Sequence, residues 1–248
     1  MSADLVEYLL RLGDDALIAA QRLGEWTSRA PDMEEDVALA NIALDQLGAA
    51  RLFLTYAGDA EGAGRDEDAL AYLREDFEFR NVQLVELPDS DFGTAIAKLL
   101  CLATYQHLLY GALCTSADER IAAIAGKCVK ESAYHVDHAQ LWTARLGAGT
   151  DTSHRRMVAA LDEIWAYSYE LFETDDLIAR LGPVAVDPAS LEPAWRERVG
   201  TALAAGDLAV PETTWRPSGG RCGKHTESLS RLLAEMQVVH RVDPGATW

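Results

Sequence analysis

The 248-residue sequence is poor in positive charge. It has 22 Lys and Arg against 40 Asp and Glu, a formal net charge of −18. Nucleic acid phosphates and anionic membrane surfaces repel such a chain, so neither is an expected partner. Cysteine is scarce as well. Cys101, Cys114, Cys128 and Cys222 are widely spaced, with no CxxC pair. That pattern excludes a zinc ribbon, a thioredoxin motif and a disulfide framework, and fits reduced thiols in a cytosol. No run reaches the ~18 uninterrupted apolar residues of a membrane span. The N-terminus, MSADLVEYLLRLGDD, carries acids where a signal peptide needs bases. No GxSxG elbow appears, and no strand alternation is strong. A soluble cytoplasmic protein is expected.

What the sequence does have is helical periodicity. Hydrophobic residues make up 49% and charged residues 25%, ordinary globular proportions. From Asp4 to Trp26, apolar residues recur at Leu5, Leu9, Leu12, Ala16, Ala19, Leu23 and Trp26, one face of a helix. Asp32 stands at an N-cap position, and a second helix is predicted from Met33 to Ala57, ending near Gly58. The charged segment Glu61 to Asp91 holds one short helical piece around Asp66 to Arg74. A connection this long suits the crossover of a ferritin-like bundle. Three further helices are predicted over Phe92–Cys114, Asp118–Leu146 and Thr152–Phe172. Prolines then punctuate a less regular third, with helices at Leu191–Ala204 and Thr226–Val239. The expected fold is all-α, a ferritin-like four-helix bundle with a long crossover and additional C-terminal helices. It is read as a single domain over 1–248, its core bundle at about 4–147 and its additional helices at about 152–248.

Ferritin-like di-iron bundles take one Glu from each of two helices and a Glu-x-x-His pair from each of the other two. The second helix has no such pair; its nearest counterpart is LDQLGAAR, with Asp45, Gln46 and Ala49. The fourth helix has KESAYHVDH, in which Glu131, His135 and His138 could form half of a metal site. The alternative is a hydrogen-bonded core histidine, His135, with Glu131 or Asp45 supplying partners to the buried polar groups nearby. The third helix contains no Asp or Glu at all, which favours the second reading. The Gly219–His225 run only superficially resembles a phosphate loop, because the spacing is wrong and no strand precedes it. It is read as a turn before the last helix, with His225 or Thr226 at its start. Cys128, Trp26, Trp142 and Trp165 are read as packing. Trp195, Trp215 and Trp248 fall in the irregular third and are read as interface aromatics.

The runs LRLGDDALIAAQRLGEW, VALANIALDQLGAARLFLTYA, KESAYH and HTESLSRLLAEMQ, with the terminal PGATW, resemble the C-subunit family of bacterial phenylacetyl-CoA epoxidases. The resemblance covers essentially the whole chain. It implies a ferritin-like fold without the chemistry: the di-iron ligands belong to the related catalytic A subunit, with which this family pairs. The family's ligand positions fall on Gln46, Ala49, Ala103, Ser132 and His135, of which only His135 is a ligand type. No catalytic, cofactor-binding or metal residue is therefore expected in this chain. The resemblance further implies a complex with di-iron in the catalytic subunit, and with NADPH, flavin and iron–sulfur in a reductase. Other complex subunits and a homo-oligomer are partners left open. The runner-up is an independent metal-dependent oxidoreductase using Glu131, His135 and His138. A third reading, a small-molecule binding bundle, is permitted by the Ala-rich helix faces.

Overall fold

A computed structural model of the chain describes residues 3–243, and every regular element among them is helical. The all-α, ferritin-like helical class expected from the sequence is the one observed. In chain order the α-helices are α1 (Ala3–Gly24), α2 (Met33–Glu61), α3 (Glu67–Tyr72), α4 (Gln83–Glu86), α5 (Phe92–Leu113), α6 (Glu119–Gly147), α7 (Asp151–Ile164), α8 (Asp176–Leu181), α9 (Glu192–Ala205) and α10 (Glu227–Val242). The long helices start where the sequence supplies caps. Asp32, Asp91, Asp118 and Thr226 accept hydrogen bonds from the first-turn amides of α2, α5, α6 and α10. Acidic residues in the first turn of α2 add favourable interaction with the helix dipole.

Two boundaries differ from the sequence expectation, each for a physical reason. The second helix runs through Gly58 to Glu61 and stops at Gly62, whose φ is +69°. Gly58 is there for space: a Cβ on it would lie 2.1 Å from the carbonyl oxygen of Arg65. The fifth predicted helix tightens into a 3₁₀ segment over Trp165–Phe172, where bulky aromatics crowd together. The helices at α4 and α8 are too short to carry a periodic signal.

The chain divides into two compact units, one made of residues up to Pro88 together with those from Ser218, the other of Asp89–Pro217. Each centres on a 22-residue helix followed by a 29-residue one. In the first unit α1 packs along α2, burying Leu9, Leu12 and Ala16 of α1 and Leu39, Phe53 and Leu54 of α2. Each such leucine or phenylalanine contributes about 1.5–3 kcal/mol on burial. The two helices approach closely at Gly13, where an added Cβ would meet Leu54 Cδ2 at 2.7 Å. The connecting residues 62–88 then fold back onto α1, and α10 packs against α3, α4 and the turn at Asp76–Glu78.

In the second unit α5 pairs with α6, α7 packs on both, and α9 closes over the pair. Helix α5 is buried nearly all round, from Gly93 to Leu113, which explains its lack of an amphipathic pattern. Trp195 corrects its reading as an interface aromatic. It is 1% exposed, its indole N–H donates to the Cys101 carbonyl at 2.8 Å, and its ring sits against Trp165 and Phe172. Proline punctuation made its surroundings look irregular, yet Pro193 sits in the first turn of α9 and Trp195 follows on its inner face.

Candidate functional site

Gln46, Ala49, Ala103, Ser132 and His135, the positions that the resemblance singles out, are all buried. In the first unit Gln46 and Ala49 stand three apart on α2, one turn of the same face, with Asp45 half-buried beside them. In the second unit Ala103 lies on α5, and Ser132 and His135 lie three apart on α6. Ser132 donates its hydroxyl hydrogen bond to the Val129 carbonyl at 3.1 Å and lies 3.3 Å from His107 Nδ1. Sequence reasoning missed His107. It stands four residues after Ala103 on α5, and that spacing on one helix face was the available signal. The expected partner role of Glu131 is not observed for Ser132. The Glu131 carboxylate instead pairs with Lys127 one turn back on α6, at 2.8 Å, on the partly exposed side. His138 is half-buried three residues beyond His135. Among the described residues, no three His, Cys, Asp or Glu side chains converge into a group that could hold a metal.

Buried carboxylates concentrate in the first unit, in the pair Asp14–Asp15 of α1. Charged groups in a core require partners, and each of these has several. Asp14 takes the Arg74 guanidinium on both oxygens, one at 3.0 Å, and the Arg80 amide at 2.8 Å. Asp15 takes Arg221 on both oxygens at 2.9 and 2.7 Å and the Val82 amide at 2.9 Å. Burial pushes the Asp15 carboxyl above its usual value, with the Arg221 charge and hydrogen bonds opposing. A third carboxylate, Glu86, accepts from Asn81 at 3.1 Å and the Thr226 amide at 2.6 Å, and its Oε2 lies 2.9 Å from His225 Nδ1. Arg22 of α1 donates to the Glu86 carbonyl at 3.0 and 2.7 Å.

These contacts pin the connecting residues and the Gly219–Thr226 turn onto α1. Their lone pairs face guanidinium groups and backbone amides, so this cluster is a clamp rather than a reaction centre. The turn reading of Gly219–His225 stands, and Thr226 is the N-cap. The insertion of Arg221 to Asp15 was not foreseen. Two adjacent acids amid the apolar face of α1 were its only sequence signal. Gly223 has φ +74°, and a Cβ on it would lie 2.1 Å from the Phe77 carbonyl oxygen. The turn therefore presses directly on the connecting segment.

The cysteine and tryptophans singled out in the sequence divide between core and surface. Cys128, Trp26 and Trp165 are buried, and Trp142 meets Phe92 edge-on at 5.1 Å. Trp215 is exposed, packed edge-on against Tyr167 at 5.2 Å. Trp248 and the terminal PGATW lie outside the described residues. The outer side of α2 is apolar and uncovered: Met33, Val37, Leu44 and Leu47 are all exposed. By length and composition alone α2 could cross a membrane, with 39% of its most apolar window buried.

These features define an all-helical, ferritin-like chain in which Gln46, Ala49, Ala103, Ser132 and His135 are buried and none is acidic. The chain belongs to the phenylacetic acid catabolic protein family (PaaA_PaaC), whose family model matches residues 1–248. It is 43% identical over 246 residues to the C subunit of 1,2-phenylacetyl-CoA epoxidase from Escherichia coli (strain K12). That match covers 98% of this chain and 99% of the relative.

Proposed function

We propose that the chain is a non-catalytic partner subunit of a cytoplasmic phenylacetyl-CoA epoxidase, binding and stabilising the di-iron catalytic subunit. End-to-end similarity to an epoxidase C subunit supports its place in such a complex. The reading that it holds no iron of its own is carried by one observation, the donor set at the inherited positions. Gln46 offers an amide, Ala49 and Ala103 offer methyl groups, and Ser132 offers a hydroxyl already bonded to the Val129 carbonyl. A di-iron site needs several carboxylates to bridge the metals and balance their charge. Glu131, the carboxylate one turn before His135 on α6, is engaged by Lys127. These residues do not fit a di-iron centre, and no catalytic step is assigned to them.

What the second unit offers in its place is a polar helix contact. The His107–Ser132 pair links α5 to α6 where a metal-binding relative would place ligands, and Ala103 lets neighbouring side chains fill the space. The iron, and the electrons delivered through a reductase, then belong to other subunits. The test is co-expression. This chain alone should show no oxygenation of phenylacetyl-CoA, and adding the catalytic subunit should give a stable complex in size-exclusion chromatography. Activity of the isolated chain, or no complex with the catalytic subunit, would overturn the proposal.

A further inference from the structure

We infer that the uncovered side of α2, with the cleft at its far end, is a docking groove for a cationic amphipathic helix of another chain. This rests on the proposed role in a heteromeric complex and adds the place and the chemistry of the contact. The first observation is spacing. Met33, Val37, Ala40, Leu44, Leu47 and Arg51 alternate steps of four and three, the 3.5-residue repeat of a helix–helix seam. The second is exposure along that seam: Met33 is 76% exposed, Val37 56%, Leu44 64% and Leu47 41%. The opposite face of α2 is buried against α1 through Leu39, Ile42 and Phe53. The helix therefore has two apolar faces, and the described residues of its own chain cover one.

The third observation is what the seam runs into. Leu47 and Arg51 also line a cleft of about 310 Å³ whose walls include Leu17, Leu54 and Ala71. Arg51 is held at its rim by Glu67 at 3.0 Å. Asp68 and Tyr72 also line it. With Glu67 engaged by Arg51, the exposed carboxylate of Asp68 beside apolar walls suits a Lys or Arg, whose stem packs on hydrocarbon while its head meets the acid. At the other end of the seam, Glu34, Glu35 and Asp36 fill the first turn of α2. At the cleft the carboxylates Glu67 and Asp68 outnumber the single guanidinium of Arg51, so both ends carry net negative charge, on a chain of net charge −18. Charge complementarity selects a partner helix whose apolar seam is flanked by Lys and Arg. The same carboxylates repel an anionic bilayer, which is why a protein helix is favoured over a lipid surface.

The experiment places a photo-crosslinking amino acid at Leu44 and, separately, at Asp68, in the full chain co-expressed with the catalytic subunit. Mass spectrometry should find both crosslinks on one helical segment of another chain rich in Lys and Arg. Crosslinks to an acidic segment or to a second copy of this chain would overturn the inference. So would co-sedimentation of this chain with vesicles of anionic phospholipid through α2. In a binding measurement, L44D/V37D should weaken association with the catalytic subunit about 100-fold. D68K should weaken it about tenfold and flatten its salt dependence. All three substitutions are at exposed positions, so circular dichroism melts of both variants should match the wild type. Wild-type association unchanged by all three substitutions refutes the groove and leaves the subunit role standing. Absence of wild-type association refutes the subunit role itself.

Discussion

Removing the guanidinium of Arg74 should be among the most damaging single changes in the first unit. Arg74 and Asp14 have side chains only 3% and 0% exposed. In Arg74→Met, Asp14 keeps its bond from the Arg80 amide but loses both guanidinium contacts, leaving a buried carboxylate with its charge uncompensated. Breaking a buried pair from one side costs about 3–5 kcal/mol. Against a total stability on the order of 5–15 kcal/mol, that brings the chain close to unfolding. Asp14→Leu strands the guanidinium and should cost about as much. The double variant leaves no unpaired charge. It does leave the Arg80 amide and the Leu70 and Glu78 carbonyls short of a partner, at about 1–3 kcal/mol for each that stays dry. It should therefore be more stable than the sum of the singles by on the order of 3 kcal/mol. Urea denaturation followed by circular dichroism measures all four corners of this cycle. Additive costs under about 1 kcal/mol each would mean that the pair behaves as a solvated one, and the clamp argument would fail.

Three further outcomes are expected. Asp15 is held above its ordinary 3.8 mainly by burial, so it binds its proton earlier in the fold than in the unfolded chain. Its contribution to stability is therefore complete below that value and declines as pH rises through the folded pKa. Arg221→Gln removes the opposing interactions, so the folded pKa should rise further and the variant should lose most stability at neutral pH. Carboxyl NMR titration of Asp15 checks this, and an unchanged or lower value contradicts it. Burial pushes the Cys101 thiol up to about 12, and Cys128 is buried too, whereas Cys114 and Cys222 are exposed. An aromatic disulfide reagent should label Cys114 and Cys222 rapidly in the native protein and the other two only on unfolding; rapid native labelling of Cys101 would refute the packing of α5. Trp195→Ala removes a fully buried ring and its bond to the Cys101 carbonyl, and should cost about 3–5 kcal/mol in chemical denaturation; a cost under about 1 kcal/mol would return Trp195 to the surface.

The legible parts of the fold are those that obey local rules. Asp32, Asp91, Asp118 and Thr226 mark helix starts because capping is decided within one turn. Helix α5 announced its burial by having no acid and almost no charge. Trp195 was not legible in this way: its place depends on Cys101, 94 residues away, and no local pattern encodes that. The same holds for Arg221, which reaches Asp15 across 206 residues. An Arg in a glycine-rich loop reads as solvent-exposed until its partner is known. At Gln46, Ala49, Ala103, Ser132 and His135, the residue identities were visible in the sequence, but their environment was not. Glu131 sits four residues from His135, so sequence spacing alone could not say which of its neighbours it would pair with. The α2 seam was hidden for a different reason. Its apolar residues were counted toward a helix, and periodicity does not distinguish a face covered by its own chain from one left for another.

Whether this chain lacks a di-iron centre of its own is decided by the metal content of the protein. The chain should be expressed without its partners in iron-rich medium, purified without chelators, and analysed for iron by elemental analysis. Well under one iron per chain is expected, whereas a ferritin-like di-iron site would hold about two. Iron at that level, retained by the wild type and lost in His135→Ala, would contradict it.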